Sequence, residues 1–353
     1  MADDSEISLD DLGWRPFFAA QLPADPAQLP ARVVGVHRGA VAVVAPGFEA
    51  SLPPPRAASP DADEEDAITV GDWVLLDPSR ERIASRLDRQ GLFRRRAAGT
   101  GRRLQLIAAN VDTLFVVTSA NRDFNPARLE RYLALAREGA ANPVVVVTRA
   151  DLNADAAALA AEAARLAPGL VAESLDARRP EAALQLAPWL AAGQTVALAG
   201  SSGVGKSTLI NSLTGAGLAV GEIRAADQRG RHSTTARSMH RLAGGAWLID
   251  TPGMRELGLV AADEAIDDVF AEIAALASQC RFTDCGHGTE PGCAVRQAIE
   301  SGELDAERLK RFRKLAAESR RNSESLHERR ARFRSQGRRY KAILQSKHPR
   351  RPD

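Results

Sequence analysis

Apolar and polar positions divide the chain into three textures. In the first, ARVVGVHRGAVAVVAP at 31–46 alternates apolar and polar side chains with glycine punctuation, which predicts two short strands. ITVGDWVLLD at 68–77 predicts a further strand pair around a turn, and the Pro-rich acidic stretch LPPPRAASPDADEEDA between them reads as loop. Short strands this closely spaced predict a small N-terminal β-barrel, for which an oligonucleotide-binding (OB) barrel and an SH3-like barrel both fit the pattern. In the second texture the period changes. VDTLFVVTSA (111–120), NPVVVVT (142–148), TVALAG (195–200) and GGAWLIDTPG (244–253) contain apolar runs of strand length. Helical spacing appears between them, in NPARLERYLALAREGA (125–140), where Pro follows an Asn cap, in the Ala-rich stretch 154–167, and in KSTLINSLTG (206–215). This alternation predicts a doubly wound, mostly parallel α/β sheet. The third texture, from 263 onward, is helical and ends in a long Arg-rich segment without heptad packing.

The chain is therefore read as multidomain. The expected parts are an acidic, poorly ordered extension (1–30), a barrel (31–79), a basic linker (80–104) with nine Arg against two acids from 80 to 103, an α/β domain (105–262), and a helical domain (263–353). No repeat is found. No apolar run approaches the ~20 residues needed to cross a bilayer, and the acidic start MADDSEISLDDLGW lacks a signal pattern, so a cytoplasmic protein with no membrane partner is expected.

Net charge is +2, from 47 Lys/Arg and 45 Asp/Glu, but the average conceals an asymmetry. Residues 308–353 hold 17 Lys/Arg and 4 Asp/Glu, while the rest holds 30 and 41. A basic tail on an acidic body points to a polyanionic partner, with nucleic acid favoured over a merely solvated helix face.

GSSGVGKS at 200–207 fits G-x-x-x-x-G-K-[ST] and stands where that motif must, after a strand and opening a helix. The loop Gly200, Ser201, Ser202, Gly203, Val204 and Gly205 would curl its N–H groups around phosphates. Lys206 would sit on the β/γ-phosphates, Ser207 would ligate Mg²⁺, and Thr208 would help bind the α-phosphate. Downstream, LIDTPG supplies Asp250, positioned to hold Mg²⁺ through water, and Gly253, whose N–H can meet the γ-phosphate. RGRHSTTARSM (229–239) lies between them, and Thr234 or Thr235 is expected to complete Mg²⁺ coordination.

The strand at 142–148 delivers Thr148, Arg149, Ala150 and Asp151. A carboxylate at Asp151 can accept from both N1–H and the N2 amino group of guanine, a contact adenine cannot offer. Ser174, in AESLDAR, is a weaker candidate for the loop that meets guanine O6. The order is then base loop, phosphate loop, switch threonines and Asp-Thr-Pro-Gly, which is a cyclic shift of the order usual in GTPases. Circular permutation of this kind is tolerated where the old termini lie close together.

All three cysteines fall within CRFTDCGHGTEPGC. Cys280, Cys285, His287 and Cys293 form C-x4-C-x-H-x5-C, a donor set for one closed, tetrahedral structural zinc site. Redox cysteines or a catalytic thiol are the alternatives.

The permuted order, the small N-terminal barrel and the C-x4-C-x-H-x5-C spacing together resemble the bacterial ribosome small-subunit-dependent GTPase A family. The resemblance runs from LGWRPFF (12–18) through IAANVD (107–112) to the cysteine cluster. It implies an OB-type barrel, a circularly permuted P-loop GTPase domain and a C-terminal α-helical zinc domain. It further implies GTP hydrolysis to GDP, stimulated by the small (30S) ribosomal subunit, in late maturation of that subunit on 16S rRNA. The cofactors would be one structural Zn²⁺ per chain and Mg²⁺ with GTP. Nothing in the sequence signals oligomerisation, so a monomer is expected. Thr148 and Arg149 depart from the usual Asn and Lys, which predicts reduced affinity with GTP preference retained through Asp151. Met254 stands where a Ras-type enzyme carries its water-orienting Gln. His232, beside the switch threonines, is the candidate for that task, as the resemblance also suggests, and contact with rRNA or solvent is the alternative.

Overall fold

The computed structural model describes residues 7–23, 28–37, 39–55, 66–96, 104–179, 181–215, 237–250, 259 and 262–323. The apolar runs of the second texture form the centre. Strands β8 (Thr113–Ser119), β9 (Asn142–Thr148), β10 (Val171–Ser174), β11 (Thr195–Ala199) and β13 (Trp247–Asp250) are parallel, in the order β10-β9-β8-β11-β13. All of β8 and β11, and all of β9 after Asn142, are buried. That is why these segments read as unbroken apolar runs rather than alternating ones.

β12 (Arg237–Arg241) extends this sheet antiparallel to β13, and through it the sheet continues into the N-terminal strands. These are β1 (Leu29–His37), β2 (Ala40–Ala45), β3 (Phe48–Leu52), β4 (Trp73–Leu76) and β5 (Ile83–Arg86), with a separate hairpin of β6 (Leu92–Arg96) and β7 (Leu104–Ala109). β1 pairs with β2 and β4, β2 with β3, and β4 with β5, all antiparallel. Ala31, Val33, Val41, Val43, Val74 and Leu76 close a small core between them. Among the described residues no pairing joins β3 to β5, so the barrel expected from the pattern stands here as an antiparallel sheet around its own core.

Three local expectations are corrected. The 68–77 stretch holds one strand after a turn rather than a strand pair. The Arg-rich stretch expected to be a linker carries β5 and β6. The acidic N-terminus is packed from about Ser8: a short helix α1 (Pro16–Ala19) buries Phe18, Leu12 is fully buried, and Trp14 meets Trp73 edge-on at 4.6 Å. Its charged average concealed large apolar side chains, among them Leu9, Leu12, Trp14, Phe17 and Phe18.

Arg32 joins the parts. Its side chain is buried and donates to the Leu12 and Asn110 carbonyls and to the Thr195 hydroxyl, with Trp73 stacked at 5.3 Å. Burial lowers its pKa to about 10, with Asp112 and Asp72 opposing that shift, so it stays charged at neutral pH.

Helices α2 (Pro126–Glu138), α3 (Ala156–Ala164), α4 (Glu181–Leu186) and α5 (Lys206–Leu213) cover the parallel strands. As its sequence indicates, α2 starts at Pro126 behind Asn125, whose side chain accepts from the Arg128 N–H at 3.1 Å. Of the C-terminal helices α6 (Asp263–Val269), α7 (Ala271–Ala277), α8 (Ala294–Glu300) and α9 (Ala306–Ser323), α6 packs on α2, α7 and α9 pack on α6, and α8 packs on α7. Buried Glu130 of α2 accepts from Arg308 at 2.7 Å and Arg311 at 2.9 Å, and Arg131 reaches Glu318 at 2.8 Å.

Candidate nucleotide pocket and metal centre

Parallel strands release their loops at one edge of a sheet, and ligands bind at that carboxyl edge. Here β9 ends at Thr148, β10 at Ser174, β11 leads into Gly200, and β13 ends at Asp250. The loops after β9, β10 and β11 line a cavity of about 500 Å³, a volume within the range of small-molecule sites.

The end expected to take phosphate is built from backbone. Gly200, Gly203 and Gly205 all have positive φ (145°, 81° and 98°), and a Cβ on Gly200 would lie 2.2 Å from the Val117 carbonyl oxygen. Glycine is required there by both conformation and space. Helix α5 opens behind Gly205 with no side-chain cap, which leaves its first N–H groups directed at the cavity. Lys206 is buried and donates to the Gly200 carbonyl at 2.7 Å and to that of Ser201. Ser202, Ser207 and Thr208 line the same wall. Asp250 emerges beside this loop, since β13 pairs with β11 at Ile249 and Ala197.

The end expected to take the base is built from side chains. Thr148 is 1 % exposed, and its hydroxyl lies 2.6 Å from the Val204 carbonyl and 3.1 Å from that of Thr118. Arg149, with φ +59°, donates to the Gly203 carbonyl at 2.8 Å. The two residues that looked like defects in a base-reading motif thus tie the base loop to the phosphate loop. Ala150 begins a short 3-10 turn, Ala150–Leu152, and its N–H reaches the Leu175 carbonyl at 3.3 Å. Asp151 faces the cavity and accepts from Arg178 at 2.5 Å.

Arg178 was not singled out in the sequence, and neither was Asp176, which accepts from Arg178 Nε at 3.1 Å and from its N–H at 3.0 Å. Asp176, Ala177 and Arg178 form the third wall, whereas Ser174 belongs to the strand before it. Arg128 was also missed; it donates to Ser201 Oγ at 2.7 Å from the first turn of α2. The run Asp-Ala-Arg-Arg after β10 was the available signal for Arg178, and it resembles ordinary loop composition.

Cys280, Cys285, His287 and Cys293 come together, with their donor atoms all within 4.8 Å of one another. Cys280 Sγ and Cys293 Sγ are 3.9 Å apart, and His287 Nδ1 is 3.6 Å and 3.5 Å from them. Zn–S of about 2.3 Å and Zn–N of about 2.0–2.1 Å at tetrahedral angles require S···S near 3.8 Å and S···N near 3.5 Å. The donor set fits a metal ion of that size. Burial, with Arg313 beside it, lowers the His287 pKa, which favours the neutral, ligating imidazole. Chain geometry helps here too: Cys293 caps α8, and His287 takes a positive φ of 58°.

The family description "RsgA GTPase" matches residues 86–260. The chain is 50% identical to the small ribosomal subunit biogenesis GTPase RsgA of Mesorhizobium japonicum, over 90% of this chain and 92% of that protein. It is 43% identical to the protein named small ribosomal subunit biogenesis GTPase RsgA 2 of Vibrio vulnificus, over 98% of both chains. This chain belongs to the RsgA GTPase family. Among solved structures it is similar to YjeQ from Thermotoga maritima, with a TM-score of 0.61 and 24% identity over 83% of this chain and 98% of that one. It is also similar to YloQ, described as a circularly permuted GTPase, with a TM-score of 0.59 and 18% identity over 86% and 99%. These two likenesses concern the fold, and they agree with the loop order of this RsgA-family chain, base loop before phosphate loop. Four of its expected site residues, His232, Thr234, Thr235 and Gly253, lie outside the described residues, as does the tail beyond Ser323.

Proposed function

We propose that this protein hydrolyses GTP in the biogenesis of the small ribosomal subunit, with the subunit stimulating turnover. The observation that carries the reading is the joining of a carboxylate loop and a phosphate loop in one cavity, held by Thr148 on Val204 and Arg149 on Gly203. In the proposed complex, Asp151 accepts from the guanine N1–H and N2 amino group, and the loop from Gly200 to Gly205 wraps the phosphates. Lys206 exchanges its loop carbonyls for the β- and γ-phosphate oxygens, and Thr208 meets the α-phosphate. Ser207, Asp250 through water, and Thr234 or Thr235 would hold Mg²⁺ with GTP, and the ion would supply neutralisation of charge on the transferred phosphoryl group. His232 orients the attacking water, and the Gly253 N–H senses the γ-phosphate.

The metal centre is read as one structural Zn²⁺, because four protein donors fill a tetrahedron and leave no open position. The β1–β5 sheet is read as an OB-type barrel, with residues 105–262 as the permuted GTPase domain and 263–353 as the zinc domain. The basic tail and the barrel would bind 16S rRNA, and the protein is expected to act as a cytoplasmic monomer. No helix among the described residues is long and apolar enough to cross a membrane. Phosphate release from GTP and from ATP, each with and without purified small subunits, tests the reading. Slow GTP turnover that accelerates strongly with subunits, with ATP inert, is the expected result. Equal turnover of both nucleotides, or no response to subunits, would overturn it.

A further inference from the structure

We propose that Arg178 is a built-in stand-in for guanine, which holds the base-reading carboxylate until a nucleotide displaces it. This rests on the reading of Asp151 as the guanine acceptor. Guanine presents two parallel N–H donors to that carboxylate, and the planar Arg178 guanidinium occupies it with one, from Nη2, while its Nε/Nη2 edge lies on Asp176. In this structure Arg178 Nη2 donates to Asp151 Oδ2 at 2.5 Å, and both residues line the cavity.

The arrangement is suited to exchange. Asp176 anchors Arg178 through its backbone N–H at 3.0 Å and its Nε at 3.1 Å, and Arg179 adds a second cation at 3.5 Å. Asp176 Oδ2 also accepts from the same Nη2 at 3.3 Å, so the backbone N–H and Nε keep the loop on Asp176 while Nη2 is the group that turns from Asp151. The Arg178 side chain is 64 % exposed while that of Asp151 is 19 % exposed, so Arg178 is the partner with room to move.

An internal ligand competes with an external one by mass action, and it reduces apparent affinity by the fraction of chains in which Asp151 is engaged. An exposed ion pair is weak, so removing the competitor should tighten nucleotide binding by about two- to fivefold. The contact is absent from the bound state. The gain must therefore appear in association rather than dissociation, and it must shrink with salt. A merely structural role for Arg178 would produce neither signature.

The test is stopped-flow binding of fluorescent GDP to the full chain, the Arg178→Ala and Arg178→Lys variants, and Asp151→Asn, at low and high salt. Arg178→Ala is expected to associate about two- to fivefold faster with unchanged dissociation, the difference fading at high salt, and Arg178→Lys is expected to fall between. Unchanged or slower association, or faster dissociation, in Arg178→Ala would overturn the stand-in. The Asp151→Asn variant reports on the base reading separately: it should lose GDP and accept xanthosine diphosphate, whose 2-oxo group suits an amide donor. Unaltered GDP binding by Asp151→Asn would overturn the base reading and the stand-in together. A switch to xanthosine diphosphate with no effect of Arg178→Ala would overturn the stand-in alone.

Discussion

The two ends of the nucleotide cavity are made differently. At the phosphate end the chemistry is carried by the backbone: three glycines at positive φ, an uncapped helix start, and one buried lysine. At the base end side chains carry it, and most of them are tied to something other than a ligand. Thr148 and Arg149 hold the phosphate loop, and Asp151 holds Arg178. Backbone geometry tolerates few sequences, whereas a tie between two loops can be made by several residue types. The end expected to take phosphate is therefore demanding of its sequence, and the end expected to take the base could be built in several ways, although one ligand is proposed to span both.

That contrast can be broken from either side. The largest effect should follow Lys206→Ala, which removes a charge-assisted donor to phosphate; about 2–3 kcal/mol of nucleotide affinity, some 30- to 150-fold, should be lost by titration calorimetry. Gly200→Ala places a Cβ 2.2 Å from the Val117 carbonyl oxygen at a φ of 145°, and should cost about 2–3 kcal/mol of folding stability in urea. Thr148→Val keeps the shape but leaves the Val204 carbonyl without its hydroxyl partner at 2.6 Å. A loss of about 1 kcal/mol is expected, seen as weaker GDP binding. Arg149→Met, at the exposed tie to Gly203, should cost only about 0.5 kcal/mol. Base-end ties that proved as costly as Lys206 would erase the distinction.

How much was legible follows the same division. G-x-x-x-x-G-K-S identified its loop because each glycine answers a backbone demand, and the cysteine spacing identified its cluster because four donors so spaced suit one small ion. The buried parallel strands were visible as unbroken apolar runs. β12 was hidden because RSMHR alternates too weakly to stand out beside a polar loop. β5 and β6 were hidden because arginines at 82, 86 and 94–96 made a strand region look like solvated linker. Thr148 and Arg149 were read as weakened base contacts, since only the fold shows them reaching Val204 and Gly203. Arg178 lies 27 residues beyond Asp151, and no local pattern joins them.

The claim on which the account depends is that Asp151 selects guanine for hydrolysis in this cavity. The most direct measurement is phosphate release by Asp151→Asn, in the presence of small ribosomal subunits, from GTP and from xanthosine triphosphate. The account predicts that GTP turnover collapses and xanthosine triphosphate turnover replaces it. GTP turnover at the wild-type rate, with xanthosine triphosphate inert, would contradict it.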